Sequence, residues 1–259
     1  MKGKNAAAKM MIDVVTEPLG DIECLHAAPA AGRNQALPTV LFWHGYLSSK
    51  EVYAWAAVAL AQAGFRVVMP DALGHGSRFT GDEAWRLSHF WEILRSNIDE
   101  LPQLEAALRA RGWVEEGRFS VAGASMGGMT ALGAMARYPQ IARVACLMGS
   151  GYFMALSRTL FPPFQARTPA EQAALAERLA PLAAYDPSRQ LAKLADRPLL
   201  LWHGAADEVV PAAETQRLVA ALRASQQDRQ LTWLTEPNVG HKITPQALQA
   251  LVDFFRASL

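Results

Sequence analysis

Arg118-Phe-Ser-Val-Ala-Gly-Ala-Ser-Met-Gly-Gly-Met-Thr-Ala-Leu-Gly133 decides how this chain folds. The apolar, β-prone run Phe119 to Ala122 enters Gly123-Ala124-Ser125-Met126-Gly127, and the residues beyond it are rich in Met, Ala and Leu. Strand, sharp turn and helix follow in that order. A serine between two glycines at this spacing is the G-x-S-x-G elbow, whose strained backbone lifts the hydroxyl clear of the sheet. Strand and helix pass so close there that a β-carbon at Gly123 or Gly127 would collide. A plainer reading makes Ser125 a helix cap, its hydroxyl bonded to a backbone N–H. The strand-turn-helix setting, together with partners further along the chain, favours the elbow.

Working outward, Pro38-Thr-Val-Leu-Phe-Trp-His-Gly45 and Phe65-Arg-Val-Val-Met-Pro70 read as fully buried strands, apolar without alternation. Ile12 to Ala28 reads as an opening strand pair that turns at Leu19-Gly20-Asp21. Ser48 with Glu51 predicts a capping box, opening a helix through Val58 and Leu60 to Gly64. Leu87, Phe90, Leu94, Ile98, Leu101, Leu104 and Leu108 predict one long helix from Trp85, kinked at Pro102 and ended by Gly112. Val144 to Met148, Arg197 to Gly204 and Leu231 to Thr235 are further strands, with helices after Pro211 and after Thr244-Pro245. Gly151 to Ala195 breaks this rhythm, being apolar yet irregular apart from the capping box Thr168-Pro-Ala-Glu171. It is expected to cap the strand ends, or else to form a satellite core under a long loop. The sum is an α/β fold of seven or eight mostly parallel strands flanked by helices, one domain over 12–259 with a cap insertion at about 151–195.

At 259 residues the chain can bury a sizeable core. Its 25 Lys and Arg against 24 Asp and Glu leave no basic excess, so nucleic acid is not an expected partner. Of the two cysteines, Cys24 and Cys146, the second lies in the apolar run Val144 to Met148, the setting of a buried free thiol. A disulfide framework is not expected. Met1 to Met11 carries Lys2, Lys4 and Lys9 without a signal-peptide core, and no stretch reaches transmembrane length. These features predict a cytoplasmic protein with a disordered leader over 1–11 and no membrane partner.

A serine hydroxyl is a poor nucleophile until a histidine takes its proton, and that histidine needs a carboxylate to fix its tautomer. Of six histidines, His26 belongs to the opening strands and His89 to a helix, while His44, His75 and His203 lie beside glycines outside the expected order. His241 alone falls between the last strand and the terminal helix. The acid belongs between serine and histidine in the chain order of this chemistry. Asp207 meets that requirement and is favoured by the spacing Gly204-x-x-Asp207-x-x-Val210-Pro211; adjacent Glu208 is the alternative. Read plainly, Asp207 is a helix cap and His241 a turn residue. The backbone N–H groups of Met126, at its helix N-terminus, and of Tyr46, after His44-Gly45, are the candidate oxyanion hole. Phe153, Phe161 and Phe164 of the insertion are candidates for the wall of an acyl pocket. Asp71 and His75 have no third ligand nearby in sequence, and no glycine cluster has the dinucleotide or Walker pattern, so neither metal nor cofactor is expected.

The elbow, His44-Gly45, Asp71-x-x-Gly74-His75-Gly76, Gly204-x-x-Asp207 and Gly240-His241 together resemble the α/β-hydrolase superfamily, over nearly the whole chain. More narrowly, Phe42-Trp-His-Gly-Tyr46, Gly74-His-Gly-Ser-Arg-Phe79, Met148-Gly-Ser-Gly-Tyr-Phe153 and Leu160-Phe-Pro-Pro163 make it similar to the YjfP-type bacterial esterases. The resemblance implies a serine carboxylesterase acting on short acyl esters of small molecules. The His-Gly-Gly-Gly motif of many lipases is absent, so lipase activity is not implied. Two other readings stay open. The same triad serves thioesterases and aminoacyl peptidases, and the fold also serves as a silent receptor for small ligands, usually with a triad member lost.

Overall fold

The computed structural model describes residues 10–259. Of the leader expected over 1–11, residues 1–9 lie outside the described residues, and the carbonyl of Met11 already accepts from Ala30 N–H at 2.9 Å. Among the described residues eight strands form one sheet: β1 (Ile12–Leu19), β2 (Ile22–Pro29), β3 (Leu37–Trp43), β4 (Arg66–Pro70), β5 (Val114–Ala124), β6 (Val144–Leu147), β7 (Leu199–Gly204) and β8 (Leu231–Glu236). Their order is β1-β2-β4-β3-β5-β6-β7-β8. β2 alone runs against its neighbours, and every pair from β4 to β8 is parallel.

Period two organises the core, because successive strand side chains point to opposite faces. Leu41 and Trp43 of β3, Val121 of β5, Cys146 of β6 and Leu201 of β7 share one face with α3 (Phe90–Ala110), α4 (Met126–Arg137) and α7 (Ala212–Ala224). Val40, Phe42, Ala122, Leu147 and Trp202 share the other with α1 (Ala54–Gln62) and α8 (Pro245–Arg256). Both faces are covered, which is why these strands read as unbroken apolar runs. At about 1.5–3 kcal/mol for each large apolar side chain buried, the central strands are strongly held. Their C-terminal ends are thereby rigid supports for the loops they carry.

Two expected helices differ. The long helix from Trp85 is broken at His89 (φ −126°) into α2 (Glu83–Ser88), capped by Asp82, and α3. Leu87, whose spacing fitted the apolar stripe, is 49% exposed. Pro102 lies inside α3. The helix after Ser48 opens as a 3-10 turn at Glu51–Tyr53 before α1, with no capping box. The Lys50 N–H is instead taken by Asp71 Oδ1 at 2.9 Å, a cap supplied by the loop after β4. The segment 151–195 holds α5 (Phe153–Leu156) and α6 (Pro169–Leu179), with the expected capping box of Thr168 and Glu171. Its apolar side chains join Phe90, Trp91, Ile98, Met126 and Met129 in a third cluster.

Candidate active site

β5 delivers Ser125 into a conformation that few side chains adopt, φ 56° and ψ −118°. Crowding enforces it. A β-carbon on Gly123 would collide with Gly127 O, and one on Gly127 with Trp43 O, so the first turn of α4 lies against the end of β3. The loop after β7 carries Asp207 and the loop after β8 carries His241. These loops are pressed together: a β-carbon on Gly204 would strike Val239 O and Gly240 O, and Ala206 N–H donates to Val239 O at 2.9 Å.

The three residues singled out by chain order meet. His241 Nε2 is 2.9 Å from Ser125 Oγ, and His241 Nδ1 is 2.7 Å from Asp207 Oδ2. A carboxylate only accepts, so Nδ1 carries the proton and Nε2 is left to accept from the serine hydroxyl. Asp207 is buried, and burial pushes its carboxyl up; hydrogen bonds from His203 and His241 outweigh this and hold it well below the usual carboxylate range. Glu208, the alternative acid, is exposed. An ionised, buried acid behind an imidazole behind a serine is the arrangement that makes the hydroxyl oxygen nucleophilic.

Among the described residues neither Tyr46 N–H nor Met126 N–H has a hydrogen-bond partner. Both flank Ser125, since a β-carbon on Gly45 would lie 3.5 Å from Ser125 Cβ. The strand-end loop before them is fixed by two histidines acting as backbone clamps. His44 Nε2 accepts from Ala72 N–H at 3.0 Å, and His75 Nε2 from Leu47 N–H at 2.9 Å. Burial lowers both, His75 to about 4, which keeps each ring neutral and able to accept. Asp71 is likewise occupied, bonded to Lys50 Nζ at 2.6 Å and Ser77 Oγ at 3.0 Å. No group of three or more His, Cys, Asp or Glu among the described residues is arranged to hold a metal ion.

A cavity of about 240 Å³ opens over Ser125 and His241, walled by Tyr53, Trp55, Met148 and Ile243. None of Phe153, Phe161 and Phe164 lines it, which corrects the expected acyl wall. Phe153 is fully buried against Trp91, and Phe161 packs on Tyr46 and Phe90 at ring distances of 4.9 and 4.8 Å. Phe164 is half-buried in the same cluster. The phenylalanines therefore belong to a satellite core behind Tyr46. Sequence reasoning did not single out the residues that wall this cavity, because Tyr53 and Trp55 lie about the start of α1, far in sequence from Ile243. It also set His203 aside, although the parity of β7 puts His203 on the face of Leu199 and Leu201, four residues before Asp207.

An eight-stranded sheet with one reversed strand, an elbow after β5 and partners after β7 and β8 defines an α/β-hydrolase fold with a serine-hydrolase geometry. The profile of the Prolyl oligopeptidase family matches residues 51–259, and the chain belongs to that family. It is 50% identical to the Escherichia coli protein named esterase YjfP over 249 residues, 96% of this chain and 100% of YjfP. YitV of Bacillus subtilis is 34% identical, with 96% of this chain and 100% of YitV covered. The crystal structure of TT1662 from Thermus thermophilus, 22% identical, superposes with a TM-score of 0.75 over 96% of this chain and 98% of that one.

Proposed function

We propose that this chain is a serine carboxylesterase for short acyl esters of small molecules, with Ser125 as nucleophile, His241 as base and then acid, and Asp207 as the acid that orients it. The observation that carries the reading is the Asp207–His241–Ser125 relay, 2.7 and 2.9 Å long, at the floor of a 240 Å³ cavity. The relatives named esterase support it. In the reaction Ser125 Oγ attacks the ester carbonyl as His241 Nε2 takes its proton, and the N–H groups of Tyr46 and Met126 stabilise the oxyanion. The imidazolium then protonates the leaving alkoxide, leaving an acyl-enzyme. Water, deprotonated by His241, releases the acid and restores the serine.

The half-exposed rim, with Val52 at 58% and Trp55 at 41%, suits an acyl group that lies across an apolar shelf. One domain over 12–259 and a cytoplasmic location remain part of this reading; the location is supported by Cys24 and Cys146 both being free thiols.

Ser125→Ala is expected to lower kcat about 10³- to 10⁶-fold with an unchanged melting temperature. A chromogenic ester should give the wild type a burst of product equal to the enzyme concentration. Absence of both effects sinks the serine mechanism. Esters and thioesters of matched acyl length, compared by kcat/KM, separate carboxylesterase from thioesterase.

A further inference from the structure

Asp207 is held by more than the one imidazole that a triad needs. Oδ1 accepts from Val209 N–H at 2.9 Å and Val210 N–H at 3.1 Å. Oδ2 takes His241 Nδ1 at 2.7 Å on one side and His203 Nε2 at 3.1 Å on the other. His203 has no solvent exposure. Its Nε2 also lies 2.8 Å from Val210 O, so this nitrogen faces a carbonyl and a carboxylate, both acceptors. Nε2 must then carry a proton and donate to both. Nδ1 meets Thr215 Oγ1 of α7 at 2.7 Å, and that hydroxyl is 3.1 Å from Gly149 O in the loop after β6. The ring is locked at both ends, because any rotation would strand a buried polar atom.

We propose that His203 is a positioning residue for the acid: its Nε2–H occupies one side of Asp207 Oδ2, fixing the carboxylate rotamer and leaving the other side aimed at His241 Nδ1. This rests on the serine-histidine-aspartate reading above. The second donor also withdraws charge from Oδ2, so the proton shared with His241 stays on the imidazole. The titratable side chains near this contact are few. Asp207 and His241 belong to the relay itself; Glu214 of α7 is turned to Ser150 Oγ at 2.9 Å and to Arg217, and Glu236 of β8 to Trp202 Nε1 at 3.0 Å and Thr244 Oγ1 at 2.6 Å.

The test compares two amides. His203→Gln can keep an N–H near the place of Nε2, whereas His203→Asn falls a methylene short. His203→Gln is expected to hold kcat within about threefold of wild type and to leave the acid limb of the kcat/KM profile in place. His203→Asn is expected to lower kcat about tenfold or more with KM nearly unchanged. Its acid limb should shift, since a carboxylate free to turn no longer meets His241 Nδ1 in one fixed geometry. A merely structural role would lower melting temperature without moving the limb. Folded variants that both behave as wild type, or that lose kcat equally with the limb unmoved, overturn the proposal. Should His203→Asn not fold, Thr215→Val strips Nδ1 of its partner and is read by the same kcat loss and limb shift. Ser125→Ala separates the two levels: if it stays active the triad reading has failed, and if it is dead while the limb never moves only the role of His203 has.

Discussion

On one side of Ser125, Tyr53, Trp55 and Ile243 stand apart and leave a cavity; on the other, Tyr46, Phe90 and Phe161 close on one another. Both sides are aromatic. What separates them is what lies behind each ring. Tyr46 is anchored through its hydroxyl to Arg86 O at 2.8 Å and is backed by the segment 151–195, so that side is filled. Trp55, at the start of α1, is left 41% exposed, with the Tyr53 ring beside it at 6.0 Å. Aromatic composition therefore marks a place where apolar surface is concentrated, and packing decides whether that surface becomes core or pocket.

Phe153 marks the filled side most strongly. Phe153→Ala is expected to cost about 3–5 kcal/mol, because the ring is wedged against Trp91 and the glycine notch at Gly133. The acyl-length profile of the folded fraction should not change. A longer preferred acyl chain in this variant would restore Phe153 to the pocket wall.

His75, at the seam between the two sides, gives a smaller effect. Burial drops its pKa to about 4 from an ordinary value of 6.5. The unfolded chain thus takes up the proton first, so stability is full above pH 6.5 and falls as pH drops toward 4. His26, also lowered to about 4 by burial, acts in the same direction. Between pH 6.5 and 4.5 His75→Gln should remove about 2 kcal/mol of the wild-type decline, read as a flatter melting temperature against pH. Parallel curves for the two proteins would mean that the ring is not held neutral.

Trp55 gives the smallest and most diagnostic change. Trp55→Ala should leave the melting temperature nearly unaltered, since the side chain is 41% exposed. Each methylene in contact with the lost ring contributes about 0.8 kcal/mol, so kcat/KM should fall a few-fold for chains long enough to reach it and stay constant for acetates. An equal loss for all chain lengths would place the acyl group elsewhere.

The fold was legible because its signal is local. Burial on both faces leaves unbroken apolar runs, and Gly123 is dictated by a collision with Gly127 four residues on, although Gly127 itself answers to the distant Trp43 carbonyl. That Asp207 and His241 would meet Ser125 was legible through chain order and the spacing Gly204-x-x-Asp207-x-x-Val210-Pro211. What escaped the sequence came from distant contacts. The break at His89 was hidden because Leu87 keeps helical spacing while facing solvent. In place of the capping box at Ser48, Asp71, twenty-one residues after Lys50, supplies the bond to Lys50 N–H. The pocket wall joins α1 to the loop after β8. The second imidazole on Asp207 is set by Thr215 and Val210, which give no local pattern.

The left-handed backbone at Ser125 also limits which elements of the periodic table this turn can present. A φ of 56° is tolerated by a side chain with a single γ atom but is an outlier for a β-branched one. Sulfur in place of oxygen keeps that shape, so a thiol could inherit the elbow through one substitution. Threonine brings the same oxygen with an added methyl and would have to unwind the turn between β5 and α4. Descendants of this chain can thus exchange the reacting atom more easily than they can decorate the carbon that bears it.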